Sequence, residues 1–185
     1  MRRLLPVLAL AVACSCDEPR DPSKPPAPST RDVAPPPPPP PPFSGLAFDA
    51  PAEWRAEKPT SNMRKAQYAV PDRDKAEGDA VFIYFGPMGG GIEGNVSRWK
   101  GQFSNPPSEP KLEEIKAGDV TIHLLDIAGE YASDMGAEAK PDQRGLFAIV
   151  QASDGDHIFR LSGPRGTVAD WRDAFVEMLK KARTR

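Results

Sequence analysis

The string FGPMGGGIEGNVSRW, residues 85–99, contains Gly89-x-Gly91-x-x-Gly94 between an apolar run and a helical one. In dinucleotide-binding folds this spacing lets backbone N–H groups cradle a pyrophosphate at a helix N-terminus. That chemistry needs a parallel βαβ unit, with an acidic residue further on for the ribose. Here Pro87 interrupts the turn, Pro106 and Pro107 close the helical stretch, and the segment after them reads as a hairpin. No Lys-Ser/Thr pair supplies a P-loop, so no cofactor is expected. The glycines have a simpler use, freeing the backbone to turn sharply at residues able to take a positive φ. So bare a loop also lets a partner's backbone come close. Gly89, Gly90, Gly91 and Asn95, with Arg98 one turn on, are therefore candidate partner contacts, a plain turn being the alternative.

Other reactive groups are few. Of two histidines, His123 lies in VTIHLLD opposite in parity to Val120, Ile122 and Leu124, and is expected on the sheet's other side. His157 comes just after the Asp154-Gly155 turn and is expected to be exposed. Neither has a Cys or His at ligand spacing, so no metal site is expected. No G-x-S-x-G elbow is present, and both cysteines precede residue 17. PDRDKAEGD, residues 71–79, echoes a calcium loop through Asp72 and Asp74, but Ala76 occupies the third ligand position. Glu130, Asp134, Glu138 and Asp142 are scattered over residues 129–145, expected to form a long solvated connection. It is a second candidate partner surface. No catalytic residue is assigned.

The elements that must hold these groups can be read from periodicity. GLAFDAPAEW reads as a short strand ended by Pro51, residues 63–70 as a half-buried strand, and residues 79–85 as a central strand covered on both faces. Ile92, Val96, Trp99 and Phe103 form one helical stripe. KLEEIK and VTIHLLDIAGEY flank a turn at Ala117-Gly118-Asp119, and GLFAIVQA and HIFRLSG flank Ser153-Asp154-Gly155-Asp156. Thr167 is placed as the cap of a last helix whose Val168, Trp171, Phe175, Met178 and Leu179 make an apolar face. Hairpins plus two amphipathic helices predict an α+β fold, a single antiparallel sheet of about six or seven strands covered by helices.

Before this domain, expected over residues 43–185, the chain is an address and a tether. Met1-Arg2-Arg3 precedes ten mostly apolar residues, 4–13, about half of what a bilayer span requires, so residues 1–16 read as a signal peptide. Small residues before a cysteine resemble the bacterial lipobox. Cys14, or alternatively Cys16, is the expected lipidation site, and it places the domain outside the cytoplasm on a membrane of the bacterial envelope. Residues 17–42 are charged and proline-rich with too little to bury, a disordered tether. Its eight consecutive prolines, 35–42, would form a polyproline II rod of about 25 Å. With five basic and four acidic residues before Phe43, the domain keeps 19 basic and 22 acidic ones and no basic block, so nucleic acid is not an expected partner.

LAFDAPAEW, NVSRWKGQF and FRLSGPRGTVADWRDAF together resemble the PsbP-like α/β/α sandwich. More narrowly, they resemble uncharacterised bacterial lipoproteins of that shape, with a Gly-rich loop before an N-x-x-R-W-x-x-Q-F helix. The resemblance covers about residues 45–183. It implies a non-catalytic binding or assembly subunit, whose partner would be an envelope protein or a small ligand. The alternative is an envelope hydrolase or cofactor-binding enzyme built on the loops at 86–95 or 129–145.

Overall fold

A computed structural model of the chain describes residues 45–134 and 136–184. The signal peptide, Cys14, Cys16, the tether and the first residues of the domain lie outside the described residues. Ten strands and two helices succeed one another: β1 Leu46–Ala47, β2 Arg55–Glu57, β3 Ala66–Val70, β4 Ala80–Pro87, α1 Gly91–Lys100, β5 Phe103–Ser104, β6 Lys111–Ala117, β7 Val120–Tyr131, β8 Lys140–Ala152, β9 Gly155–Pro164, α2 Arg165–Lys180 and β10 Arg183–Thr184.

Eight of the strands make one antiparallel sheet, in the order β2-β3-β4-β9-β8-β7, with β5 and β6 sharing the outer edge of β7. It is thus slightly larger than expected. The class is α+β. The first strand, β1, does not join it and pairs with β10, so the two ends of the domain hold each other.

Both faces of the sheet are covered, which is why its central strands are apolar at successive positions. Ile122 and Leu124 of β7, Leu146, Ala148 and Val150 of β8, and Phe159 and Leu161 of β9 point to one face. There they pack with Phe82, Tyr84 and Val168, Trp171, Phe175 and Leu179 of α2. Leu125, Ile127, Phe147, Ile149 and Ile158 alternate to the other face and pack with Trp99. Trp99 and Trp171, both fully buried, therefore anchor the two helices on opposite faces.

Both hairpin turns stand where the turn residues put them. Gly118 takes φ 58°, and Ala152 pairs with Gly155 across Ser153-Asp154. Four expectations are corrected. Helix α1 ends at Lys100, where the N–H groups of Gly101 and Gln102 donate to the Ser97 and Trp99 carbonyls. Phe103 is consequently a strand residue opposite Tyr131, its ring stacked on the tyrosine at 4.7 Å. The stripe still converges, because strand and helix deliver Phe103 and Trp99 to the same cluster. The long connection at 129–145 is mostly ladder: Tyr131 pairs with Lys140, and Glu130 and Asp142 are strand residues. Backbone hydrogen bonding to β7 overrides the poor strand propensity of the polar start of β8. Finally, α2 begins at Arg165 with Pro164 before it, so Thr167 sits in the first turn and donates its hydroxyl to the Gly78 carbonyl at 2.8 Å.

Candidate functional site

The glycine corner is built from three local decisions. A register shift between Tyr84 and Gly86 bends β4, Met88 donates its N–H to the Asp156 carbonyl at 2.8 Å, and the chain then turns into α1. Gly86, Gly90 and Gly91 have φ of 81°, 107° and 62°, a region costly for a residue with a Cβ. Of the three glycines in the nucleotide-like string, only Gly91 takes a positive φ. Gly89 and Gly94 do not, and a Cβ on either would meet nothing within 4 Å.

Asn95 turns inward. Its Nδ2 donates to the Gly91 carbonyl at 2.7 Å and more weakly to that of Gly89 at 3.4 Å, and its Oδ1 accepts from Arg98 Nη2 at 2.6 Å. Only 2% of it is exposed. Asn95 is thus a brace that ties the corner to Arg98, and its buried side chain is not presented to a partner. Gly89, Gly90, Gly91 and Arg98 stand at the surface.

Arg98 belongs to a larger group that sequence reasoning did not find. Nine arginines lie among the described residues. Six have a carboxylate oxygen within 4.0 Å: Arg55, Arg73, Arg144, Arg165, Arg172 and Arg183. The remaining three, Arg64, Arg98 and Arg160, are on the α1 side, with Arg64 and Arg98 each near enough to Arg160 for their charges to act on it. Each is held by neutral acceptors. Arg64 donates to Gln67 Oε1 at 2.7 Å, Arg98 to Asn95, and Arg160 to Gln102 Oε1 at 3.1 Å and Tyr131 Oη at 2.6 Å. The Arg160 guanidinium also lies over the Phe147 ring, 4.5 Å from its centroid, and its Nε is buried with no acceptor among the described residues. Burial lowers the Arg160 pKa, and the charges of Arg98 and Arg64 act in the same sense, partly opposed by Tyr131 and Asp134. A guanidinium keeps its proton throughout the ordinary pH range, so this is a measure of how unfavourable the local positive charge is.

The sequence did carry a faint sign of Arg160. In HIFRLSG it shares parity with Ile158, so it had to point into the face that α1 covers. Nothing local to Arg64 marks it.

The other nominated residues have structural uses. Asp72 Oδ2 accepts the N–H groups of Glu77 at 2.6 Å and Gly78 at 2.8 Å, and its Oδ1 that of Asp74 at 3.1 Å. These bonds, Gly78 first and Glu77 second, hold the Asp72 carboxyl below the usual range. The calcium-like string is therefore a loop wound around its own aspartate. It presents Glu77 to the N–H of Gly166 at 2.7 Å, in the first turn of α2, where a carboxylate is favoured. Among the described residues, no group of three or more His, Cys, Asp or Glu is placed to hold a metal ion.

His123 points to the α1 side of the sheet and meets Gln151 Oε1 at 3.0 Å. His157, expected to be exposed, is completely buried. Its parity with Phe159 and Leu161 puts it on the α2 side, where it bonds Tyr84 Oη at 2.9 Å and Asp154 Oδ1 at 2.8 Å. An open cavity of about 230 Å³ lies where residues 105–110 interrupt the outer edge strand, lined by Pro107, Pro110, Asp126, Arg144 and Arg165. Its arginines are already matched, Arg144 gripping Asp126 through two bonds of 2.8 and 2.6 Å and Arg165 meeting Asp142 at 3.0 Å.

Against known proteins, neither a family model nor a curated sequence matches this chain. Its surface is read from its own geometry.

Proposed function

We propose that this chain is a lipid-anchored, non-catalytic binding or assembly module of the bacterial envelope. The acyl chain would sit on Cys14 or Cys16, the proline-rich spacer would lift the domain off the membrane, and a partner would dock on the sheet face that carries α1. The observation that carries this reading is the uneven pairing of the arginines. Every described arginine away from α1 is matched to a carboxylate, whereas the three beside α1 are oriented and left unneutralised. Positive charge that the fold orients without neutralising suits an oppositely charged partner. A helix on each face of an antiparallel sheet supports the resemblance to PsbP-like domains, whose members act mostly by docking. Tyr84, His157 and Asp154 line up as an acid–base relay would, but with Tyr84 and His157 shut inside the core they offer a substrate no entry.

The test is photocrosslinking from chosen positions of the full chain in native membranes. A photoreactive residue at Ser97 or Gly89 should give a discrete adduct that is absent with the label at Glu177 on α2. The same adducts from both faces, or none from the α1 face, would remove this reading.

A further inference from the structure

Resting on the reading of the α1 face as the binding surface, we propose that Arg64, Arg98 and Arg160 form a receptor for a doubly charged oxyanion of the phosphate-monoester class. Their placement comes first. Ile83 stands opposite both Gln67 and Arg160 in the sheet, so Gln67 lies two strands, about 10 Å, from Arg160. Arg64 is fixed to Gln67 from that side. From the other side Gln102, just beyond the end of α1, holds Arg160, with Arg98 one turn before it. Arg160 is thus the centre, flanked by a cation delivered from the chain before β3 and another from α1.

How the three are held decides what they can take. A carboxylate would orient an arginine and cancel its charge. Amide and phenol oxygens orient it and leave the charge in place. Three side chains of high rotamer entropy are therefore partly ordered before any ligand arrives, which removes a cost that binding would otherwise carry. The nearest acids do not alter this. Glu57 reaches the group only through the Gln67 amide, at 2.9 Å, and Asp134 has no carboxylate oxygen within 4.0 Å of any of the three.

Charge number and geometry select the class. One carboxylate is satisfied by one guanidinium fork, leaving two cations facing each other. A phosphate monoester carries nearly two negative charges and three terminal oxygens, enough to accept from separate guanidinium groups at once. A broad anionic lipid surface is disfavoured, because the domain as a whole has three more acidic than basic residues.

The experiment uses the full chain in a neutral detergent at low salt and pH 8, observed through its arginine Nε–H resonances. Methyl phosphate should shift Arg64, Arg98 and Arg160 saturably. Methyl sulfate, of the same shape with half the charge, should bind about tenfold more weakly. Arg64→Gln and Arg98→Gln should each weaken phosphate binding about tenfold, and Arg172→Gln on the opposite face should leave it unchanged. Arg160→Lys, which keeps the charge but not the fork, guards against an unfolded Arg160→Gln. No saturation, equal binding of methyl sulfate, or wild-type affinity in the two glutamine variants overturns the proposal. So does binding to phosphatidylglycerol vesicles in the absence of methyl phosphate binding. Crosslinks from Ser97 that persist after such a failure would leave the docking face intact and remove only the oxyanion. Phosphate binding without crosslinks would do the reverse.

Discussion

Tyr84 of β4 and His157 of β9, 73 residues apart in the chain, share a hydrogen bond of 2.9 Å inside the core. The Asp154 carboxylate can only accept, so in neutral His157 the Nε2–H donates to it at 2.8 Å and the bare Nδ1 accepts the proton of the Tyr84 hydroxyl. The chain entering β1 packs against this relay, where a Cβ on Gly45 would sit 3.0 Å from the phenol oxygen.

Burial pushes the Tyr84 pKa up to about 12, a hydrogen bond from the Leu46 backbone opposing and the Asp154 charge adding to the rise. A raised pKa stabilises the fold fully below the unfolded value near 10. Above it the unfolded chain ionises while the folded one still holds its proton, so stability falls from about pH 10 to about pH 12. Urea unfolding across that range should show a loss of about 2–3 kcal/mol from this group. Tyr84→Phe should cost about 1–3 kcal/mol at pH 7 and flatten the alkaline limb. Buried Tyr68 shifts in the same direction, so some slope will remain. An alkaline limb identical in wild type and Tyr84→Phe would reject the relay.

Asp72 sets the opposite limb. Its lowered pKa means stability that is present above the unfolded aspartate value and is lost as pH falls through the lower folded one. Asp72→Asn should destabilise the domain at pH 7 and shrink its acid sensitivity. Hydrogen exchange should show the loss first at Glu77, Gly78 and Gly166, whose N–H groups depend on this loop. Unchanged exchange at those three amides would contradict it.

The two helix tryptophans, Trp99 and Trp171, should behave differently when made phenylalanine. Trp171 Nε1 donates to the Pro71 carbonyl at 2.8 Å, whereas Trp99 Nε1 is buried with no acceptor among the described residues. Either one changed to Ala should cost about 3–5 kcal/mol. Trp171→Phe should cost about 1–2 kcal/mol more than Trp99→Phe, because only the former strands an acceptor. Equal costs by denaturant titration would show that packing alone decides.

At the glycine corner, Gly90→Ala should destabilise by about 1–2 kcal/mol, since φ 107° strains any Cβ and the new atom would sit 3.2 Å from Asn95 Nδ2. Gly89→Ala meets open space and should be neutral. Equal effects would mean that the corner is set by something other than backbone conformation.

Metabolic labelling with a palmitate analogue should mark the wild-type chain and not the Cys14→Ser/Cys16→Ser double variant. Label that persists in the double variant removes the lipid anchor.

Local repetition was enough to determine part of this protein. The apolar face of α2, from Val168 to Leu179, the turns at Gly118 and Asp154-Gly155, and the α+β class come from patterns that recur within a few residues. A helix face or a tight turn is a local demand on the backbone, so those residues state it wherever they occur. What depends on register was decided only by the tertiary structure. Polar Lys140 and Pro141 became strand because β7 lay beside them, Phe103 left the helix to stack on Tyr131, and His157 was drawn into the core by Tyr84. The arginine cluster belongs wholly to this second kind. Whether a cation is neutralised depends on which acid lies within a few ångströms of it, and Arg64, Arg98 and Arg160 meet from segments 34 and 62 residues apart. Their shared lack of a carboxylate is a property of the folded neighbourhood, where charge falls off with distance in space and not along the chain.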